Sequence, residues 1–414
     1  MARNVRKWCL SAGLIAGVLA LSMSREFYDS SITSVFLSLA IGSAFVTVVV
    51  LRRSWPDVLA VSGLAVLLLL WDVRLLHFPY KFFGCFSFLG MSSLVVLGIH
   101  AIWSNKDRMR MLCGFLPALL FIGSEYMATD LLDFTEKLHP KVFDLYLYSF
   151  DCSLRVQISF GLGKLLYNLP WVRLVSLLFY IALPLPLALV YAARLRQSIR
   201  SAIPTMLAFL ATGPLGVLFY NMLPACGPAH LFARLFPLYP PAITDVMHWQ
   251  IQTLLIPQAA RNAIPSLHMA WVLLVWWSSR TLPRWIRSIA FVFLAFTTLA
   301  TMGLGEHYFV DLVVAFPFAV MIVALCSYTI PFSNLARRVA FLWGVFATLL
   351  WLALLSFAVQ IFWITPVLPW AMVSTTIAVS CILQRRLQIA LDLEVADRIP
   401  AKTMLVQKAA AQHA

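Results

Sequence analysis

Twelve stretches of this 414-residue chain are apolar over the length of a membrane span or close to it. They lie near 8–23, 32–51, 57–76, 82–103, 111–127, 171–193, 201–223, 266–279, 288–304, 309–330, 340–363 and 367–384. An α-helix rises about 1.5 Å per residue, so about 20 apolar residues cross a hydrocarbon slab ~30 Å thick. Lipid offers no hydrogen-bond partner to an exposed peptide group, so runs of this kind are helical. The predicted fold is all-α, a polytopic membrane helical bundle of about 12 transmembrane helices. Composition agrees, since 62% of residues are hydrophobic and only 12% charged. A soluble domain carries about 25% charged residues.

The charges that remain are distributed by side. Alternate connections carry Arg3, Arg6 and Lys7; Arg52 and Arg53; Lys106, Arg108 and Arg110; Arg194, Arg196 and Arg200; Arg280, Arg284 and Arg287; Arg337 and Arg338; Arg385 and Arg386. The tail adds Arg398, Lys402 and Lys408, which brings 21 of the 31 Lys and Arg to one side. The positive-inside rule makes that side cytoplasmic and puts both termini there. The net charge of +14 is then a topology signal with a weak attraction for anionic lipid heads. Nucleic-acid binding has no separate support. The run Cys9–Met23 also resembles a signal peptide, with Ala20 and Ser22 as a weak cleavage pattern; an uncleaved first span is the preferred reading. The seven cysteines are scattered, most of them inside apolar runs, and none has metal-ligand spacing.

Two long connections fall on the other face, at about 128–170 and 224–264. The first holds Asp130, Asp133, Glu136, Asp144 and Asp151 among aromatics, and reads as partly helical and interfacial. The second contains Pro224, Pro228, Pro237, Pro240, Pro241 and Pro257, and cannot be one helix. Neither an internal repeat nor a soluble domain is visible.

Chemistry concentrates at two span starts on that face. The segment Arg261-Asn-Ala-Ile-Pro-Ser-Leu-His268 opens the eighth span, with Pro265 suited to a first helical turn. Free first-turn amides attract anions, His268 would face such an anion, and Arg261 is placed either to clamp phosphate or to snorkel. The segment Gly305-Glu-His-Tyr-Phe-Val-Asp311 opens the tenth span. His307 and Asp311, four apart, share a helical face and can hydrogen-bond. A carboxylate on one ring nitrogen leaves the other free to attack. A lone intramembrane His is more often a packing residue; two of them with an Asp, on one side by an independent count, point to catalysis. The plainer readings favoured elsewhere are loop residues for His230 and Arg234, a belt aromatic with a possible substrate hydrogen bond for Tyr308, structural pairing or interfacial placement for Asp72, Arg74 and Glu125, a solvated face for Asp130 and Asp133, and surface for Glu306.

The stretches Cys226-Gly-Pro-Ala-His230, Arg261–Trp271 and Gly305–Asp311 resemble the type 2 phosphatidic acid phosphatase superfamily. They are most similar to its inositolphosphotransferase branch, which includes inositol phosphorylceramide synthase. The resemblance covers about 111–330 and implies a six-helix catalytic core there, with accessory transmembrane helices in 1–110 and C-terminal helices with a short basic tail in 331–414. It implies His307 as nucleophile, Asp311 as its orienting partner and His268 as general acid. Arg261, Asn262, Ser266, Tyr308, His230 and Arg234 complete the candidate phosphate-binding set. No metal or organic cofactor is required by these residues. The implied partners are a phospholipid donor and a lipid-alcohol acceptor in the bilayer. The chain departs from the phosphatase pattern at Leu267, where a Gly is usual, and at Thr301, where an Arg is usual. Those departures favour headgroup transfer over hydrolysis. A transporter or flippase is the alternative from another class, but such proteins usually show repeats and midplane sites.

Overall fold

The computed structural model describes residues 2–397 apart from 23, 26, 30–33 and 76–81. The basic residues of the tail, Arg398, Lys402 and Lys408, lie outside the described residues. All twelve apolar runs are helical over most of their described residues. Among the described residues, nine helices are long and apolar enough to cross a membrane, or ten if one bent pair is a single span. The nine are α1 (Ala2–Ser22), α2 (Val35–Arg52), α3 (Trp55–Leu75), α4 (Cys85–Trp103), α10 (Ile199–Met222), α12 (Arg284–Gly303), α13 (Phe309–Cys326), α14 (Leu335–Phe357) and α15 (Val367–Asp397). The expected twelve is not reached: the run at 171–193 is the bent pair, and two other runs fall short for physical reasons. The run at 111–127 belongs to α5 (Leu116–Leu138), which is diluted by Glu125, Asp130, Asp133 and Glu136. The run at 266–279 becomes α11 (Leu267–Ser279), 13 residues and therefore about 20 Å long.

The first long connection folds into α6 (Asp144–Ser153) and α7 (Ile158–Asn168), as its partly helical reading anticipated. The second has short helical turns at Pro228–Phe232, Ala233–Leu235 and Ile243–Met247, and joins the first through a two-residue antiparallel ladder that pairs Lys141 with Leu255 and Val142 with Leu254. The bent pair is α8 (Pro170–Ile181) and α9 (Pro184–Gln197), which meet at 49°. Pro184 removes an amide and its ring crowds the preceding turn, so the helix breaks there.

Helix α13 is the hub. It packs against α10, α11, α14 and α15, and 78% of it is buried, against 6% of α1. A helix that is apolar all round must be enclosed by others or by lipid. Between lipid-facing helices there is no hydrophobic drive, so close backbone packing decides where they meet. Gly90 of α4 supplies it in the N-terminal part, where a Cβ would stand 2.0 Å from the Ile41 carbonyl oxygen of α2. Gly344 does the same for α14, where a Cβ would lie 2.6 Å from Met321 of α13.

Candidate active site

Four loops knit together at one end of α11 and α13. The Ala225 carbonyl accepts from Ala263 N–H at 3.0 Å, and the Gly305 carbonyl from Ala229 N–H at 2.9 Å. Ser266 N–H donates to the Asp311 carbonyl at 3.1 Å, joining the starts of the two helices. Phe143 N–H donates to the Pro224 carbonyl at 2.8 Å. The loops at 143, 224–229, 263–266 and 305–311 are thus one hydrogen-bonded mat.

Gly227 makes that contact possible. Its φ of +107° suits glycine, and a Cβ would sit 2.4 Å from the Glu306 carbonyl oxygen. Gly227→Ala is expected to destabilise the protein by about 2–4 kcal/mol, since a positive-φ penalty adds to a backbone clash. Thermal unfolding in detergent checks this, and an unchanged midpoint would remove the glycine requirement.

His307 is almost wholly enclosed, its side chain 3% exposed. Its Nδ1 bonds to the Ala263 carbonyl at 2.8 Å, which makes Nδ1 the protonated nitrogen and leaves Nε2 with its lone pair. The expected partner, Asp311, is farther away, with Oδ2 at 3.5 Å from Nδ1. That exceeds ordinary N–H···O range. Asp311 Oδ2 instead accepts from Tyr308 N–H at 2.8 Å, in a capping box at the start of α13. Its Oδ1 is buried with no hydrogen-bond partner among the described residues. A backbone carbonyl therefore orients the ring, and the Asp311 carboxyl group stands beside it at the edge of hydrogen-bond range. Burial pushes the His307 imidazole down to about 4, against the pull of Glu306 and the Ala263 carbonyl. The ring is neutral at pH 7, as a nucleophile needs to be.

His268, in the first turn of α11, is half-buried and stacks on Tyr180 with ring centroids 3.9 Å apart and planes 16° apart. Tyr180 stands at the end of α8, just before the break, so the kink delivers it to the site. The His268 and His307 ring centroids are 6.4 Å apart. One phosphoryl group spans such a gap, with an attacking nitrogen about 3 Å from phosphorus and a donor about 3 Å from the leaving oxygen.

The remaining candidates separate into helpers and scaffold. Arg261 is 1% exposed, and its guanidinium donates to the carbonyls of His139 (3.0 Å), Pro140 (3.3 Å), Ile256 (2.7 Å) and Ala259, and to Cys226 Sγ (3.3 Å). It neither clamps phosphate nor snorkels, because every guanidinium nitrogen is committed to pinning loops. Ser266 is the N-cap of α11, its Oγ accepting from Met269 N–H at 3.4 Å. Pro265 precedes that cap rather than opening the helix. Tyr308 is fully buried, not a belt residue, and donates to Asp144 Oδ1 at 2.9 Å. Asn262 is half-buried beside the mat, while His230 and Arg234 are exposed on the second connection, as are Asp130 and Asp133 on the first. Glu306 is half-buried rather than surface, and its charge acts on both His307 and Tyr180.

The phosphatase-pattern positions are filled differently. The Leu267 side chain packs onto Gly216 of α10, where a Cβ would lie 2.4 Å from Leu267 Cδ2. Thr301 is buried, its hydroxyl bonding to the Thr298 carbonyl at 3.0 Å and its carbonyl accepting from His307 N–H at 3.0 Å.

Two residues that sequence reasoning left among the loop charges prove central. Asp144 accepts from Cys226 N–H and Gly227 N–H at 3.0 and 2.8 Å as well as from Tyr308. Asp151 accepts from Phe309 N–H and Val310 N–H at 2.7 and 3.1 Å, capping α13 from outside. Burial raises both carboxyls, opposed by these donors. Every partner donates, so the acceptor-only carboxylate is the form these contacts suit. Their spacing of seven on one helix was a visible signal, since it places both on the same face. Among the described residues, no group of three or more His, Cys, Asp or Glu is placed to hold a metal ion.

The mat presents a neutral buried imidazole, a second imidazole across a phosphoryl-sized gap and a buried carboxylate beside the first. That arrangement suits transfer of a phosphoryl group through a histidine. No curated protein and no solved structure matches the chain. One family does: residues 145–325, which carry both histidines and Asp311, match the family model of the PAP2 superfamily.

Proposed function

We propose that this protein is a membrane lipid phosphotransferase, moving a phospho-headgroup of inositol-phosphate type from a phospholipid to a lipid hydroxyl. The observation that carries the reading is the pairing of the enclosed His307, with Nε2 unprotonated, and His268 6.4 Å away between ring centroids. His307 Nε2 attacks phosphorus while the bond to the departing lipid alcohol breaks, and His268 gives that oxygen its proton. Asp311 stabilises the positive charge that grows on the His307 ring. The acceptor hydroxyl then attacks phosphorus, His268 takes its proton, and the P–N bond breaks, so one P–O bond replaces another.

The surroundings favour a lipid hydroxyl over water as acceptor. Tyr180 and Trp271 flank His268 with their rings, and a dry site suppresses hydrolysis of a reactive intermediate. Helix α11 is about 20 Å long against ~30 Å of hydrocarbon. With its Arg280 end at the basic, cytoplasmic-type interface, the His268 end stops short of the far surface. A recessed site suits a donor and an acceptor that both stay in the bilayer. In this proposal the bent pair, α5 and α11 each count as a crossing, so the basic residues put both termini on the cytoplasmic side and the site on the other face.

Purified protein given headgroup-labelled phosphatidylinositol should pass the label to added ceramide, releasing diacylglycerol, and should release little labelled headgroup without it. Release of labelled headgroup phosphate at the same rate with and without acceptor would make the protein a phosphatase instead.

A further inference from the structure

A cavity of about 620 Å³ opens at the other end of the bundle, past the far end of α11 from His268. Its walls come from two parts of the chain. The α2–α3 corner contributes Val50, Arg53 and Trp55; the end of α9 and the start of α12 contribute Arg196, Trp285 and Ile286. Among the described residues the lining is mostly apolar and contains no acidic residue.

The charge there is uncompensated. The nearby carboxylate, Asp57, is already held by Arg52 Nε at 2.8 Å and His100 Nε2 at 2.9 Å. Arg53 and Arg196 have no acidic partner among the described residues, and both are exposed. Arg53 takes a left-handed backbone conformation, φ 46°, as the C-cap of α2, so the chain turns sharply where it meets the crevice. Trp55 and Trp285 are exposed beside the arginines. Exposed Trp beside Arg at helix ends is the pattern of a headgroup-level anchor, and this volume and apolar lining fit a bound small molecule or acyl segment.

We propose that this crevice binds one anionic glycerophospholipid from the leaflet on the basic side, its phosphate between Arg53 and Arg196 and its acyl chains along the apolar wall. Because the walls come from both the N-terminal helices and the stretch that matches the family model, the lipid bridges the seam between them. The site is separate from the histidine cluster and independent of what that cluster does.

The test uses the full chain in detergent with added phosphatidylglycerol or phosphatidylcholine, read by native mass spectrometry and by thermal unfolding. The wild type is expected to keep one phosphatidylglycerol with about tenfold preference over phosphatidylcholine and to unfold at higher temperature with it. Arg53→Ala with Arg196→Ala should erase the preference and the thermal gain. Val58→Trp, which fills the crevice and keeps both charges, should also displace the lipid. Lys106→Ala with Arg108→Ala, an equal loss of charge elsewhere on the same end, should leave both readouts unchanged. Equal retention of the two lipids by the wild type, preference surviving either crevice variant, or an equal loss in the Lys106/Arg108 variant would overturn the proposal.

Discussion

Replacing His307 by Ala or Asn is expected to cut lipid phosphotransfer by at least about 10⁴-fold while the protein still inserts and folds. Loss of a covalent nucleophile removes the whole double-displacement route, and such losses reach four to six orders of magnitude. Folding should survive because among the described residues the ring makes one hydrogen bond, to the Ala263 carbonyl, and the adjoining backbone bond to Thr301 does not depend on the side chain. His268→Ala should lose less, about 10²–10⁴-fold, as a proton donor does. It should recover with a donor whose leaving group needs no protonation, such as a nitrophenyl phosphodiester. Turnover in the His307 variants within tenfold of wild type, measured with labelled donor lipid, would end the histidine assignment. Equal recovery of both His variants on the activated donor would end the separation of roles.

Asp144→Ala is expected to be the most destabilising single change in the site, at about 3–5 kcal/mol. It leaves Cys226 N–H, Gly227 N–H and the Tyr308 hydroxyl facing a space without an acceptor. Each buried donor left unpaired costs about 1–3 kcal/mol, and loss of one side of a buried charged cluster costs about 3–5. Tyr308→Phe, which removes one of those donors, should cost about 1–2 kcal/mol. In the double variant the two effects should fall short of adding, because the Tyr308 bond is lost once, not twice. Unfolding midpoints of the four proteins measure this. Full additivity would mean that the hydroxyl and the carboxylate do not interact, and a wild-type midpoint for Asp144→Ala would mean that the loop mat is held elsewhere.

Much of the architecture was legible because the bilayer imposes a strict rule. A long apolar run has one stable backbone solution there, so all twelve runs became helices. The number of crossings was less legible, since apolarity measures a run's chemistry and not the helix it joins. At α5 the helix continued into charged sequence, and at α11 it ended after 13 residues.

The histidine motifs were visible as local spacings. Their partners were not, and Arg261 shows why. Next to His268 in sequence, an arginine reads as a phosphate ligand. In three dimensions its donors reach carbonyls as far off in the chain as His139 and Pro140, contacts that no local pattern encodes. Asp311 shows the same limit. The four-residue spacing put it near His307, yet the helix start claimed its Oδ2 for the Tyr308 amide, and a carbonyl from another loop took Nδ1.

The helical membrane fold and the concentration of His268, His307 and Asp311 at two helix starts were therefore readable from the chain alone. Periodicity, apolar length and short spacings are local quantities, and local backbone chemistry enforces them. How the trio is held depends instead on long-range packing. The neutral state of His307 comes from its burial, its tautomer from the Ala263 carbonyl, and the place of His268 from stacking on a tyrosine that a broken helix delivers. Each of these depends on groups far apart in the chain being brought within about 3–4 Å, the range at which hydrogen bonds and ring contacts act.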